Sequence, residues 1–177
     1  IGYSIMKIGL FYGSTTCYTE IVAEKIQAII GAELVDIFNI KDQPLALCLD
    51  YDFIICGIST WDFGELQEDW ESIWSDIRQL DLSDKIISLY GMGDQVGYTE
   101  WFQDALGLLY EQVTEQGAKV IGYWPNQGYE FIASKALTSD KSQFVGLSLD
   151  EDSQYNLTDE RLDTWCEQIL VEYSSLL

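Results

Sequence analysis

The chain has 177 residues, which is the size of one globular domain. It carries 30 Asp and Glu against nine Lys and Arg, a formal net charge of -21. This charge excludes nucleic acid and anionic membranes as partners, and it favours the basic face of a protein. The absence of histidine excludes imidazole bases, Ser-His-Asp triads and histidine-ligated metals.

The cysteines, the apolar runs and the first residues predict the redox state, the membrane relation and the domain bounds of the protein. Cys17, Cys48, Cys56 and Cys166 form no CxxC pair, so we expect no metal site and a reduced, cytoplasmic protein. No apolar run approaches the roughly 18 residues that span a bilayer. Met6 opens the first strand pattern, so residues 1–5 are interpreted as foreign to the native protein and residues 6–177 as a single domain.

Strand and helix patterns alternate from one end of the chain to the other. The sequence predicts, in order, a strand at 6–12, a helix at 19–30, a strand at 33–38, a loop at Pro44, a strand at 51–58, a helix at 66–80, a strand at 85–90, a helix at 101–113, a strand at 120–123, an irregular stretch at 124–143, a strand at 144–149, and a last helix capped by Thr158.

The strands are nearly continuous apolar runs, which indicates a parallel sheet covered by helices on both faces. We interpret 120–123 and 144–149 as one strand interrupted by an insertion, residues 124–143. The predicted fold class is therefore α/β, a doubly wound five-stranded parallel sheet in a three-layer α/β/α sandwich. Such sheets bind ligands at the carboxyl ends of their strands.

The loop after the first strand is rich in hydroxyl groups. It contains Ser14, Thr15 and Thr16, and Thr19 follows at the start of a helix. Backbone amides and hydroxyls at a helix N-terminus suit a phosphate, although a helix cap with surplus hydroxyls would leave the same pattern. No Lys or Arg lies between Lys7 and Lys25, so the loop suits holding a phosphate and not transferring one.

The loops after the third and fourth strands each place a large aromatic residue among Gly and Asp. Trp61 follows one strand and Tyr98 the other, at the same predicted edge. Two such rings suit a flat conjugated ligand stacked between them, although each alone is also typical of a core aromatic at a strand end.

The segments TWDFGELQ at 60–67 and GMGDQVGY at 91–98, together with the insertion, resemble the flavodoxins, and most of all the long-chain bacterial group. This resemblance covers the chain from Met6 onward. It implies the strand order 2-1-3-4-5 and non-covalently bound FMN. It also implies a low-potential one-electron carrier that uses the semiquinone/hydroquinone couple and has no catalytic residues of its own.

The resemblance implies roles for particular residues. Those implied to hold the FMN phosphate are Ser14, Thr15, Thr16, Cys17 through its amide, Tyr18 and Thr19. Trp61 and Tyr98 would sandwich the flavin ring, and Asp150 would approach the ribityl hydroxyls. The remaining residues implied at the cofactor are Ser59, Thr60, Asp62, Phe63, Gly64, Gly91, Gly93 and Asp94.

The sequence departs from the family pattern in the phosphate loop and in one ring-contacting loop. Cys17 stands where the loop usually has Gly, and Asp62 and Phe63 stand where many members carry Asn or Gly. These departures bear on the geometry of the phosphate loop and on the peptide after Asp62, which the resemblance implies would flip on reduction.

The implied partners are basic faces of redox proteins, such as an NADP-linked flavodoxin reductase and acceptor oxidoreductases, which a monomer would meet transiently.

An alternative function is that of an FMN-dependent NAD(P)H quinone reductase, whose substrates need room that Tyr98 would obstruct. A signalling receiver domain would need acidic residues where Gly13-Ser14 and Ser59-Thr60 stand. A cofactor-free binding module would take up no FMN.

Overall fold

The computed structural model describes residues 6–177, so the prediction about residues 1–5 lies outside the described part of the chain. The strands are β1 Ile8–Tyr12, β2 Val35–Asn39, β3 Phe53–Trp61, β4 Glu65–Leu66, β5 Ile86–Met92, β6 Lys119–Ile121, β7 Trp124–Pro125, β8 Gln143–Phe144 and β9 Leu147–Leu149. The helices are α1 Tyr18–Ile30, α2 Glu68–Ser72, α3 Trp74–Ile77, α4 Asp104–Glu115 and α5 Thr158–Ser175, with 3-10 turns at Leu45–Asp50 and Tyr155–Leu157.

The main sheet is parallel and follows the order β2-β1-β3-β5-β6. Strand β9 also runs parallel to β5, beyond the point where β6 ends. Residues 86–88 of β5 pair with β6, and residues 90–92 pair with β9. The predicted order and the interrupted last strand are therefore confirmed.

The core lies on both faces of the sheet, as expected for strands without a solvent-facing side. Alternate residues of β3 face opposite layers: Ile54 and Cys56 join the α4 side, while Ile55 joins the α1 and α5 side. Trp70 of α2 and Trp165 of α5 are the largest fully buried side chains of the two layers. This double cover leaves the loops at the strand ends as the open part of the fold.

The prediction of one helix over 66–80 is wrong. Glu65 and Leu66 instead pair antiparallel with Trp61 and Thr60, and two short helices follow. Ile73 separates these helices with φ -110° and ψ 9°, outside the helical range. The helix predicted over 101–113 begins three residues later, at Asp104.

Thr158 does not cap the last helix. Its φ of -59° and ψ of -49° make it the first helical residue, and its hydroxyl donates to Glu151 Oε1 at 2.6 Å. The stretch at 124–143 is also more ordered than predicted, because β7 pairs with β8 across it. Within residues 6–177, no helix is both long enough and apolar enough to cross a membrane.

Candidate cofactor site

Four loops meet at the carboxyl edge of the sheet, and they carry the residues predicted from the sequence. These loops follow β1, β3, β5 and β9, and side chains cross between them. The hydroxyls of Thr19 and Ser59 bond at 2.8 Å, and the amide of Ala105 donates to Thr60 Oγ1 at 3.0 Å. The predicted residues are therefore brought to one edge of the molecule, as parallel strand ends require.

The loop after β1 has the chemistry of an anion site. Ser14 Oγ is buried without a hydrogen-bond partner, whereas Thr15 and Thr16 are exposed. Cys17 stands at the N-cap of α1, with φ 69° and ψ -10°, and neither it nor Tyr18 is buried. A buried hydroxyl without a partner is costly, and a phosphate at the amide-rich end of this helix would accept its hydrogen bond. The loop therefore fits the phosphate of FMN.

Gln67 supports the phosphate loop, a role that sequence reasoning missed. It is fully buried, and its Nε2 donates to Thr15 Oγ1 at 3.1 Å. Its Oε1 accepts from the amides of Asp69 and Trp70, which makes it the N-cap of α2. A Gln ahead of an acidic helix start was the available signal, but Gln is not among the preferred N-cap residues.

The loop after β3 turns sharply beside a half-buried Trp61. Asp62 has φ 40° and Gly64 has φ 87°, both in the left-handed region. A Cβ on Gly64 would lie 2.8 Å from Asp104 Oδ2, so a side chain at this position would collide with the start of α4. Glycine at 64 is required both by this backbone angle and by this close approach.

The loop after β5 is shaped by the Asp94 carboxylate. Asp94 Oδ1 accepts hydrogen bonds from the amides of Val96 and Gly97, at 3.1 and 2.8 Å. Its carbonyl accepts from the Tyr98 amide at 3.1 Å. Asp94 therefore folds the turn that carries Tyr98. That Asp94 also meets the cofactor's polar edge stays a prediction.

Tyr98 joins the two ring-contacting loops. The neighbouring Asp62 carboxylate, through hydrogen bonding and its negative charge, raises the pKa of Tyr98 above its usual value. Phe63 packs edge-on against Tyr98 and Trp101, with ring centroids 6.2 and 5.0 Å apart. Phe63 nevertheless remains 65% exposed, so an aromatic surface borders the site.

Gly91, Gly93 and Asp150 lie at the edge of the sheet, at the end of the site near β9. The Gly93 amide donates to the Leu149 carbonyl at 3.0 Å, and the Gly91 carbonyl accepts from Gln103 Nε2 at 3.1 Å. Gln103 is fully buried and was not identified from the sequence. Asp150 is also fully buried, so its role toward the ribityl chain stays a prediction.

The Asp150 carboxylate is occupied by donors from its own surroundings. It accepts from the amide and Nε2 of Gln95, from the amides of Asp152 and Ser153, and from the Ser153 hydroxyl. Burial, and then the charges of Asp94 and Asp150, raise the pKa of Asp152. This end of the site is therefore strongly negative, which suits polar hydroxyls and opposes added negative charge.

Comparison with known proteins agrees with this arrangement. The family model for flavodoxins matches residues 10–165. Flavodoxin 2 of Salmonella typhi is 58% identical over 167 residues, covering 94% of this chain and 96% of that protein. The flavodoxin of a Nostoc species is 44% identical over 167 residues, with 94% and 97% covered.

A solved structure supports the same assignment at the level of the fold. The crystal structure of Fusobacterium nucleatum flavodoxin bound to flavin mononucleotide superimposes with a TM-score of 0.88 at 28% identity. The superposition covers 94% of this chain and 98% of that one. With the family match, the relatives and the site at the expected sheet edge in agreement, this chain belongs to the flavodoxin family.

Proposed function

We propose that this protein is an FMN-dependent electron carrier that passes electrons one at a time between a reductase and acceptor enzymes. The observation that carries the proposal is the buried, unpartnered hydroxyl of Ser14, in an amide-rich loop at the same sheet edge as Trp61 and Tyr98. Its relatives are flavodoxins, and the one from Fusobacterium nucleatum is bound to FMN. When bound, FMN supplies the one-electron chemistry.

The chain's own part at the phosphate end is to bind without a cationic side chain. Ser14, Thr15 and Thr16 offer hydroxyls, and the first turn of α1 offers amides. No Lys or Arg lies between Lys7 and Lys25. We therefore expect the phosphate to be held by neutral donors and the helix dipole.

At the ring end, the chain opposes the build-up of negative charge. Asp62 and Glu65 border one loop and Asp94 the other, and no Lys or Arg lies between Lys41 and Arg78. A field of this sign makes addition of the second electron less favourable, because the product is an anion. We infer that the more reducing of the cofactor's two one-electron couples is the working one.

The proposed partners are basic faces of redox proteins, such as an NADP-linked flavodoxin reductase and acceptor oxidoreductases. The exposed Phe63 and Val96 lie among the acidic residues at the ring end, so a partner would meet an apolar contact inside a negative rim. We also propose a monomer working in the cytoplasm, in keeping with the four free cysteines.

The test is electron transfer to a basic acceptor protein, such as cytochrome c, from the dithionite-reduced, FMN-loaded protein. We expect the association rate to fall steeply as salt rises from about 0.01 M to about 1 M, where the Debye length shrinks from about 30 Å to about 3 Å. A small neutral quinone serves as the control acceptor, and its rate should be nearly independent of salt. A salt-independent rate with cytochrome c would contradict steering by the acidic rim.

A second measurement separates the carrier from a quinone reductase. The purified FMN-loaded protein is mixed with NADPH and a quinone, without any reductase. We expect no NADPH oxidation above that of free FMN, because the proposed carrier takes its electrons from a protein. Sustained turnover by the protein alone would assign the enzyme instead.

A further inference from the structure

The insertion, residues 124–143, is hydrogen-bonded to the segment that carries Tyr98. Four of its backbone amides donate to acceptors in the segment 95–104. These donors are Glu130 to Gln95 Oε1 at 2.7 Å, Ile132 to the Thr99 carbonyl and hydroxyl at 2.9 and 3.0 Å, Ala133 to the Thr99 carbonyl at 3.1 Å, and Lys135 to Asp104 Oδ1 at 2.8 Å.

Gln95 ties the insertion to a third element, the end of β9. It is 3% exposed, and all of its side-chain polar atoms have partners. Its Nε2 donates to Asp150 Oδ2 at 2.8 Å, while its Oε1 accepts from Glu130. A buried amide satisfied on both sides holds its neighbours in one arrangement, because breaking either bond leaves a buried polar group unpaired.

Asp104 contacts both the insertion and the loop after β3. It is 2% exposed, it accepts from the Lys135 amide, and its Oδ2 lies against Gly64. The insertion also approaches α4 closely, since a Cβ on Gly107 would collide with the Lys135 carbonyl oxygen. Glycine at 107 is therefore needed for this contact.

Aromatic packing anchors the insertion to the body of the protein. Tyr129 and Phe131 both pack against Phe102 and Phe144, with ring centroids 5.0 to 5.8 Å apart. The Tyr129 hydroxyl donates to the Ser148 carbonyl at 2.6 Å. Aromatic packing on Phe102 and Phe144, the hydrogen bond to β9 and the hydrogen bonds to the 95–104 segment thus fix the insertion.

We propose that residues 130–135 are a brace that holds Tyr98 and the loop at Gly64 in their binding positions, with Gln95, Thr99 and Asp104 as its positioning residues. The brace lowers the cost of ordering the two ring-contacting loops when the cofactor binds. None of the three positioning residues needs to touch the cofactor for this effect. The inference rests on the proposed FMN site, and it assigns the insertion a role in shaping that site.

The first test uses an uncharged substitution with a matched control. Gln95→Met leaves the Glu130 amide without its partner and removes one of the three donors to Asp150 Oδ2. Gln154→Met removes a different anchor of the insertion, the bond from Gln154 Nε2 to the Gly128 carbonyl at 2.7 Å, together with the bond that Gln154 Oε1 accepts from Arg161 at 2.8 Å. We expect the FMN dissociation constant to rise about tenfold for the first variant and less than about twofold for the second.

The same pair of variants is compared without FMN, by amide hydrogen exchange in the apoprotein. Exchange at the Tyr98 and Trp101 amides should become about tenfold faster in Gln95→Met and stay unchanged in Gln154→Met. Equal effects of the two variants on affinity and exchange, or no effect of Gln95→Met, would overturn the brace. Wild-type protein that bound no FMN would instead contradict the proposed function, and the apoprotein exchange would still decide the brace.

A third measurement needs no variant, and it decides the question if Gln95→Met does not fold. Coupling between two sites is reciprocal, so FMN binding to the wild-type protein should slow exchange at the amides of Glu130, Ile132 and Lys135. The amides of Asn126 and Ser142 are the internal control, because they bond within the insertion. Equal protection of all five amides, or of none, would contradict the proposal.

Discussion

Cys17 holds a backbone conformation that glycine adopts more easily. Its φ of 69° places an L-residue with a Cβ in the left-handed region, at the N-cap of α1. Relief of this conformation is worth about 1–2 kcal/mol, and the greater freedom of glycine in the unfolded chain offsets roughly 0.5–1 kcal/mol of it. The two effects differ in sign, and the strain is the larger.

We therefore expect Cys17→Gly to stabilise the apoprotein by roughly 0.5–1 kcal/mol, measured by urea unfolding. Cys17→Ala is the matched control, since it removes the thiol and keeps the Cβ. An equal gain in both variants would show that the thiol, and not the backbone angle, costs stability.

Asp140, in the insertion, is a carboxylate stabilised by local donors. The Ser142 amide and the hydroxyls of Thr138 and Ser142 lower the pKa of Asp140 from 3.8 to about 2. Since the folded pKa is lower than the unfolded one, the stabilisation is fully present above about pH 4. It is lost as the pH falls towards 2.

Asp140→Asn should accordingly lower the urea midpoint at pH 7, and the difference from wild type should shrink as the pH drops below 4. Asp163→Asn is the control: Asp163 is exposed, and within residues 6–177 the structure gives its side chain no hydrogen bond. A difference between Asp140→Asn and wild type that stayed constant down to pH 3 would contradict the assignment.

At the scale of an element, α2 depends on one buried glutamine. The spacing of Trp70, Ile73, Trp74 and Ile77 resembles a continuous helix, yet the chain breaks at Ile73. Gln67 fixes where the first of the two helices begins, because its side chain bonds both the helix start and the phosphate loop. Local periodicity does not contain that long-range bond, which explains why the helix begins at Glu68 and not at residue 66 as predicted.

Gln67→Met should destabilise the apoprotein by about 1–2 kcal/mol, from the lost cap and the unpaired buried groups. It should also weaken FMN binding, because Thr15 loses its support. Urea unfolding and a fluorescence titration with FMN measure the two effects. Gln79→Met, at an exposed position beyond α3, should change neither, and a loss of the same size there would contradict the capping role.

At the scale of the whole molecule, negative charge is spread around the site with little compensation. Among residues 6–177 the ion pairs are Lys7 with Asp36, Lys25 with Asp159, and Lys85 with Asp84. None of them involves the acidic residues of the ring-contacting loops. One carboxylate about 10 Å away, at an effective dielectric constant of about 20, opposes an added electron by about 1.7 kcal/mol, or about 70 mV.

Solvent and salt reduce that figure for exposed carboxylates, so we expect a shift of tens of millivolts from several together. Replacing Asp62, Glu65 and Asp94 by their amides should raise the low-potential couple of the bound FMN, measured by reductive titration. The control set is Glu33→Gln, Asp84→Asn and Glu115→Gln, three exposed positions at the opposite edge of the sheet. An equal shift in both sets would show that net charge, and not position, controls the potential.

The amino-acid sequence by itself determined the parallel sheet and the loops that form the site, and the resemblance to the flavodoxins implied the strand order. Buried strands must be apolar on both faces, and hydroxyls, glycines and aromatic rings at their ends leave a local pattern that can be read without coordinates. Ser14, Trp61 and Tyr98 were identified in this way.

Only the tertiary structure decided how those loops are supported. Gln67, Gln95, Gln103 and Asp104 are polar residues whose partners lie far away in sequence, and burial by distant elements gives them their importance. A single sequence shows such residues as ordinary Gln and Asp, because a long-range hydrogen bond leaves no periodic pattern. The left-handed conformation of Cys17 and the hydrogen bonds from Gln95 to the Asp150 carboxylate belong to the same class, because they arise from packing that exists only once the chain has folded.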